Sequence, residues 1–265
     1  MRLDGRRSSS NVDDRRGRGG KMTGGIIGLI IAVGFAIFSQ VDIGGVLNGD
    51  LSSLQQIDME SIGQAMGQIQ GEGGEEYTPT AEEQELAKFA SQILAGTEDV
   101  WAAEFKKMGR EYIPPRLVLF TGSVQSGCGG ASASSGPFYC SADQSVYIDL
   151  SFFSSMKQQL GADGDFAYAY VIAHEVGHHV QYLLGTLDQA HSIMAQSDQK
   201  KSNQISVRLE LQADFFAGIW AYHDNEMFGS LEDGDIEEGM NVASKIGDDY
   251  LQKKARGYEV PDSFN

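Results

Sequence analysis

The sequence predicts a mainly helical α+β domain, residues 80–265, behind a single membrane-spanning helix. Three observations lead there: an uncharged apolar run near the N-terminus, helical periodicity that dominates after residue 80, and two strand-like runs between the helices. The chain has 265 residues, 41% apolar and 22% charged, so most of it can fold, while 33 glycines against 5 prolines point to some loose linker. Residues 1–21 carry seven basic and three acidic side chains, a balance of +4. The remainder has 13 basic against 34 acidic, a balance of −21. A body that acidic repels phosphate backbones, which argues against a nucleic-acid partner.

Met22 to Val41 is twenty residues without a charge. At about 1.5 Å per residue it matches the roughly 30 Å hydrocarbon core. Arg2, Arg6, Arg7, Arg15, Arg16, Arg18 and Lys21 precede it and Asp42 is the first charge after it. The positive-inside rule then leaves 1–21 as a basic cytoplasmic tail and places the rest in the periplasm or outside the cell. The other readings of this stretch are a cleaved signal peptide, for which no small-x-small cleavage site follows, and a buried core helix. Residues 42–79 mix glycine, glutamine and acidic residues and read as a tether.

Thr80 and Glu83 form a capping box, and Leu86, Phe89, Ala90, Ile93 and Leu94 recur at helical spacing until Gly96, where the helix is expected to end. A second helix is expected from Thr97 to Met108. Pro114 and Pro115 break the pattern, and Arg116 to Thr121 reads as a strand, as does Ser145 to Leu150. Between them lies a Gly/Ser-rich stretch with Cys128 and Cys140 at its ends. In an oxidising compartment these would form a disulfide; two buried thiols are the alternative.

The segment Asp165 to Leu184 reads as a helix and contains His174-Glu175-Val176-Gly177-His178. The two histidines are one turn apart and can face one cation. Phe166, Ala169, Ala173, Val176, Val180 and Leu183 form a separate apolar stripe that would bury the helix. Glu175, about 100° further round, is placed to take a proton from a water beside the metal. Catalytic zinc needs a third protein ligand. The metzincin extension is excluded, because positions 181 and 184 hold Gln181 and Leu184. Glu210, in a run from Gln204 to His223 that reads as helix, can supply the third ligand. Asp214, one turn on, can then fix a ligand histidine's tautomer. One Zn²⁺ on two histidines and a carboxylate suits amide hydrolysis by an activated water.

His223, His191 and Tyr222 are candidate donors to the developing oxyanion. His179 reads as a helix-flank residue or a partner for Glu175, and Asp149 as structural. The 146–150 strand, if it is a sheet edge, can pair with an extended substrate.

GRRSSSNVDDRRG, GPFYCSADQSVYIDLSFF, AHEVGHHVQ, RLELQADFFAGIWA and the terminal VPDSF together cover nearly the whole chain. In these segments it resembles the bacterial neutral zinc metallopeptidase family, the YpfJ-like membrane-anchored proteins. The resemblance implies a zincin-like catalytic domain with His174 and His178 as zinc ligands, Glu175 as the catalytic residue, and a protein or peptide substrate. Two other readings share the same residues: a non-catalytic zinc-binding scaffold at the membrane, and a zinc amidase acting on cell-wall peptides.

Overall fold

The computed structural model describes residues 1–17, 77–161 and 164–246. The expected anchor at 22–41, nearly all of the tether and the terminal VPDSF stretch lie outside the described residues. Among the described residues no helix is long and apolar enough to cross a membrane. Met1–Arg15 belongs to the same compact unit as the chain from Pro79 onward; of the second unit, Arg16–Thr78, only the two ends are described.

The architecture is α+β. Helix α1 (Ala81–Lys107) starts at the expected capping box, with the Thr80 hydroxyl accepting from the Glu83 N–H at 3.1 Å and Glu83 accepting from the Thr80 N–H at 2.7 Å. Strand β1 (Val12–Asp14) pairs parallel with β2 (Arg116–Phe120), Val12 opposite Leu117. Strand β2 pairs parallel with β6 (Ser145–Asp149), and β5 (Phe138–Cys140) lies antiparallel on the far side of β6, giving the order β1-β2-β6-β5. A hairpin of β3 (Ser123–Ser126) and β4 (Gly129–Ser132) stands apart from this sheet. After α2 (Ser151–Ser155) and a π-helical turn come α3 (Asp165–Leu184), α4 (Thr186–Met194), α5 (Gln199–Phe228) and α6 (Asp235–Ile246).

Both faces of β2 are covered. Leu117 and Leu119 join Ile93, Val100, Trp101, Ile148, Ile172, Val176 and Trp220 in the main core, while Val118 and Phe120 pack with Cys140 and Tyr147. Each large aliphatic side chain buried in this way contributes roughly 1.5–3 kcal/mol. The α3 stripe read from the sequence is the face that enters the core; only Leu183 stays partly exposed.

Two expectations about boundaries are corrected. The first helix does not stop at Gly96 but runs through it. A Cβ at that position would meet Asp224 Oδ1 at 2.7 Å and Arg6 Nη2 at 2.8 Å. The glycine makes room for a crossing ion pair and does not terminate a helix. That pair also ties residues 1–15, expected to belong to a separate tail, to the folded domain. Arg6 binds Asp224 through two bonds, at 2.7 and 3.1 Å, and Asp224 is fully buried. Arg7 pairs with Glu98 and Asp99, the Ser9 N–H donates to Ser91 O, and the Leu117 N–H donates to Asn11 O. The Met1 ammonium lies within 3.3 Å of Asp165, Glu232 and Asp235. Arg2, Arg6 and Arg7 are thus partners for the acidic body of the domain, while Arg15 pairs with Asp13 in its own segment. Their compositional contrast with that body is what made them look like a separate tail.

Candidate metal centre

Helices α3 and α5 pack directly against each other at Gly177, where any Cβ would meet the Ala213 carbonyl oxygen at 2.9 Å. This contact brings His174 and His178 on α3 beside Glu210 on α5. His174 Nε2 lies 3.1 Å and His178 Nε2 3.5 Å from Glu210 Oε2, and one donor atom from each of the three residues lies within 4.8 Å of the others. Two donors about 2.0–2.1 Å from zinc at a tetrahedral angle stand roughly 3.3 Å apart. The donor set, two imidazoles and one carboxylate, therefore fits zinc in both chemistry and spacing.

The tautomers are set from behind. Asp214 Oδ1 lies 2.8 Å from His174 Nδ1 and also accepts from the Tyr170 hydroxyl. His178 Nδ1 lies 2.9 Å from Gln181 Oε1, and the Gln181 amide donates to Leu209 O at 2.7 Å. With Nδ1–H committed in both rings, each Nε2 presents its lone pair to the metal position. Asp214 takes the place expected of it. Tyr170 and Gln181 were missed, although they stand four residues before His174 and three after His178, the intervals at which helical side chains meet.

The electrostatics describe a site that holds protons where a cation is expected. Burial pulls the His174 imidazolium down, but hydrogen bonds to Asp214 and Glu210 outweigh it and raise its pKa to about 10. His178 is also raised, burial again being overcome by Glu210. Burial pushes Glu210 up, and the two histidines more than reverse this, holding it at about 2. Glu175 is 9% exposed, and burial raises its carboxyl despite the neighbouring histidines. The Tyr139 backbone N–H donates to it.

Tyr139 lies on β5, one of the two edge strands of the sheet. The 146–150 strand expected as the edge is corrected here, since β6 is paired on both sides. His179 is neither a flank residue nor a partner of Glu175. It is fully buried, its Nε2 donates to Ile113 O at 2.7 Å, and its Nδ1 lies 2.9 Å from the Tyr139 hydroxyl. Burial lowers its pKa to about 4, so it is a neutral structural ring. Asp149 is structural, accepting from the Gly122 and Ser151 N–H groups. Cys128 and Cys140 form the expected disulfide, with Cα atoms 5.8 Å apart.

Of the oxyanion candidates, His223 pairs with Glu104 on α1 and stands 13 residues along α5 from Glu210, about 20 Å away. Tyr222 is exposed beside it, and His191 is exposed on α4.

Two histidines and a carboxylate, partly buried on two packed helices with a further glutamate beside them, form a donor set of the class that holds a divalent metal. The family model described as "Putative neutral zinc metallopeptidase" matches residues 1–265, and the chain belongs to that family. It is 46% identical to the Escherichia coli protein "Uncharacterized protein YpfJ", over all of this chain and 89% of the relative. It is 37% identical to "Uncharacterized protein Rv2575" of Mycobacterium tuberculosis and "Uncharacterized protein Mb2605" of Mycobacterium bovis, over 67% of this chain and 62% of each relative. No solved structure matches.

Proposed function

We propose that this protein is a zinc-dependent peptidase in which His174, His178 and Glu210 hold one Zn²⁺ and Glu175 is the general base. The observation that supports this most directly is the convergence of the two Nε2 atoms on Glu210 Oε2 at tetrahedral donor spacing. Zinc bound there would lower the pKa of a water to about 7 and polarise a peptide carbonyl. Glu175, its carboxyl raised by burial, would take a proton from that water and return it to the leaving amine. The Tyr139 N–H fixes the orientation of that carboxylate. The outer strand β5 beside it is the place for an extended substrate chain, which would align its scissile carbonyl with the zinc position.

The test is the metal content of the purified protein by elemental mass spectrometry, together with hydrolysis of a mixed peptide library. About one zinc per chain is expected, sharply reduced in Glu210→Ala. Glu175→Gln should keep the zinc and lose hydrolysis. A Glu175→Gln protein that still turns over peptides would remove Glu175 from the mechanism. A parent that binds zinc but cleaves nothing would favour the scaffold reading.

A further inference from the structure

Strand β5 carries the amide that aligns Glu175, and it is only three residues long. It pairs with β6 through Phe138 opposite Tyr147, Tyr139 opposite Val146 and Cys140 opposite Ser145, and among the described residues no strand lies on its other side. So short a ladder is marginal on its own. Each of the three residues has a second anchor. The Phe138 ring stacks on Tyr147 with centroids 4.8 Å apart, the Tyr139 hydroxyl meets His179 Nδ1 at 2.9 Å, and Cys140 is bonded to Cys128. The Tyr139 N–H that donates to Glu175 therefore sits between a stacked ring and a covalent link.

The far end of that link is a hairpin outside the sheet. Gly127 and Cys128 form the turn between β3 and β4, and neither strand pairs with the four-stranded sheet. The base of the hairpin is fixed by the Gly122 N–H donating to Asp149 at 2.7 Å. Its tip is held to the β5–β6 hairpin by the disulfide and by the Gly127 N–H donating to Asp143 at 2.7 Å, an exposed bond. The apolar cluster on this face is small: Val118, Phe120, Cys140 and Tyr147, with Val124 and Phe138 against them. A core of that size leaves the disulfide as the main tie of the tip. Cys140 is fully buried, but Cys128 is at an exposed position, so a reductant in solution has access from the hairpin side.

We propose that the Cys128–Cys140 disulfide is a positioning element for Glu175, and that opening it switches off hydrolysis while the metal stays bound. The inference rests on the peptidase reading. A dithiol would supply two electrons and two protons, leaving two cysteine thiols and closing to its own disulfide. With the tip released, β5 keeps its short ladder and its ring contacts, and the Tyr139 N–H no longer holds the Glu175 carboxylate in one direction. The three ligands are carried by α3 and α5, packed on each other at Gly177 and Ala213, and none of them is on β5 or the hairpin. Hydrolysis is then confined to surroundings oxidising enough to keep the bond closed.

The test compares the full-length, zinc-loaded protein with Cys128→Ser, which leaves the buried Cys140 in place. It reads kcat and KM on a cleaved peptide, zinc content, and amide hydrogen exchange across 138–140 by mass spectrometry. In the variant kcat is expected to fall about 10- to 100-fold, as for a catalytic group displaced by roughly an ångström. KM and zinc content should be unchanged, and exchange across β5 faster. Reducing the parent with a dithiol, with zinc measured again afterwards, should reproduce the loss and should add nothing in Cys128→Ser. It also gives the comparison if the variant does not fold. Equal kcat in variant and parent, or unchanged exchange across β5, overturns the inference. So does a fall in kcat that tracks lost zinc, because the bond would then act on the whole site and not on the base. A parent that cleaves nothing with its bond closed contradicts the peptidase reading instead, and the exchange comparison still decides whether the bond tethers β5.

Discussion

Replacing Gly177 by alanine should weaken zinc binding although the added methyl touches no ligand. The new Cβ would sit 2.9 Å from Ala213 O and 3.1 Å from Ala213 Cα, both backbone atoms of α5 that no rotamer change can remove. Relief requires α3 and α5 to part by about half an ångström, the distance that restores ordinary van der Waals contact. His174 and His178 travel with one helix and Glu210 and Asp214 with the other, whereas ligand distances are tolerant only to about ±0.2 Å. Overpacking of this kind costs about 1–3 kcal/mol. Zinc must recover that cost by drawing the helices back, so affinity should fall roughly 5- to 150-fold. Alanine also gains about 0.5–1 kcal/mol of helix propensity over glycine. That gain is common to the metal-free and loaded states, so it offsets part of the loss in stability but none of the loss in affinity. Gly218→Ala is the control, because a Cβ there meets nothing within 4 Å. It should leave affinity unchanged and raise stability slightly. Titration against a chromophoric zinc chelator reads the first quantity and urea unfolding the second. Parental zinc affinity in Gly177→Ala would show that the helix contact does not set the ligand spacing.

Arg6→Ala strands a fully buried carboxylate and should cost about 3–5 kcal/mol in urea unfolding of the full chain. An unchanged midpoint would mean that residues 1–15 are not part of the folded body. Asp214→Asn and Gln181→Ala each loosen one histidine ring and should lower zinc affinity about 10- to 100-fold by the same chelator titration. In the metal-free protein, His174 is raised from 6.5 to about 10, so its stabilisation is complete below pH 6.5 and lost as the pH rises through about 10. Glu210, lowered from 4.5 to about 2, contributes above pH 4.5 and loses this as the pH falls through about 2. Both contributions are complete between pH 4.5 and 6.5. Zinc must displace the His174 proton, so apparent zinc affinity should climb about tenfold per pH unit across neutrality; a flat profile would contradict the proton-held site.

Much of the centre was legible because it is written in helical intervals. His174 and His178 at four, Glu210 and Asp214 at four, and the apolar stripe of α3 each follow from one periodicity, and all stand where it puts them. The long-range pairings left no such local mark. Gly96 has the signature of a helix stop, and its true reason, room for Arg6 against Asp224, spans 218 residues of sequence. Strand β1 is three residues, two of them aspartates, a composition that does not suggest a strand. His179 beside His178 looked like an appendage of the motif, because its partners Ile113 and Tyr139 come from parts of the chain that only folding brings near.

Strand β1 also bears on self-association. A sheet with an unpaired border offers a row of amide and carbonyl groups to any stray extended chain, the starting point for aggregation. By laying Val12–Asp14 along β2, the protein puts a three-residue strand with two aspartates at one border of the four-stranded sheet. The opposite border is β5, also three residues long and adjacent to Glu175. Charge guards the first border against strand addition, and the second lies beside the base proposed for hydrolysis.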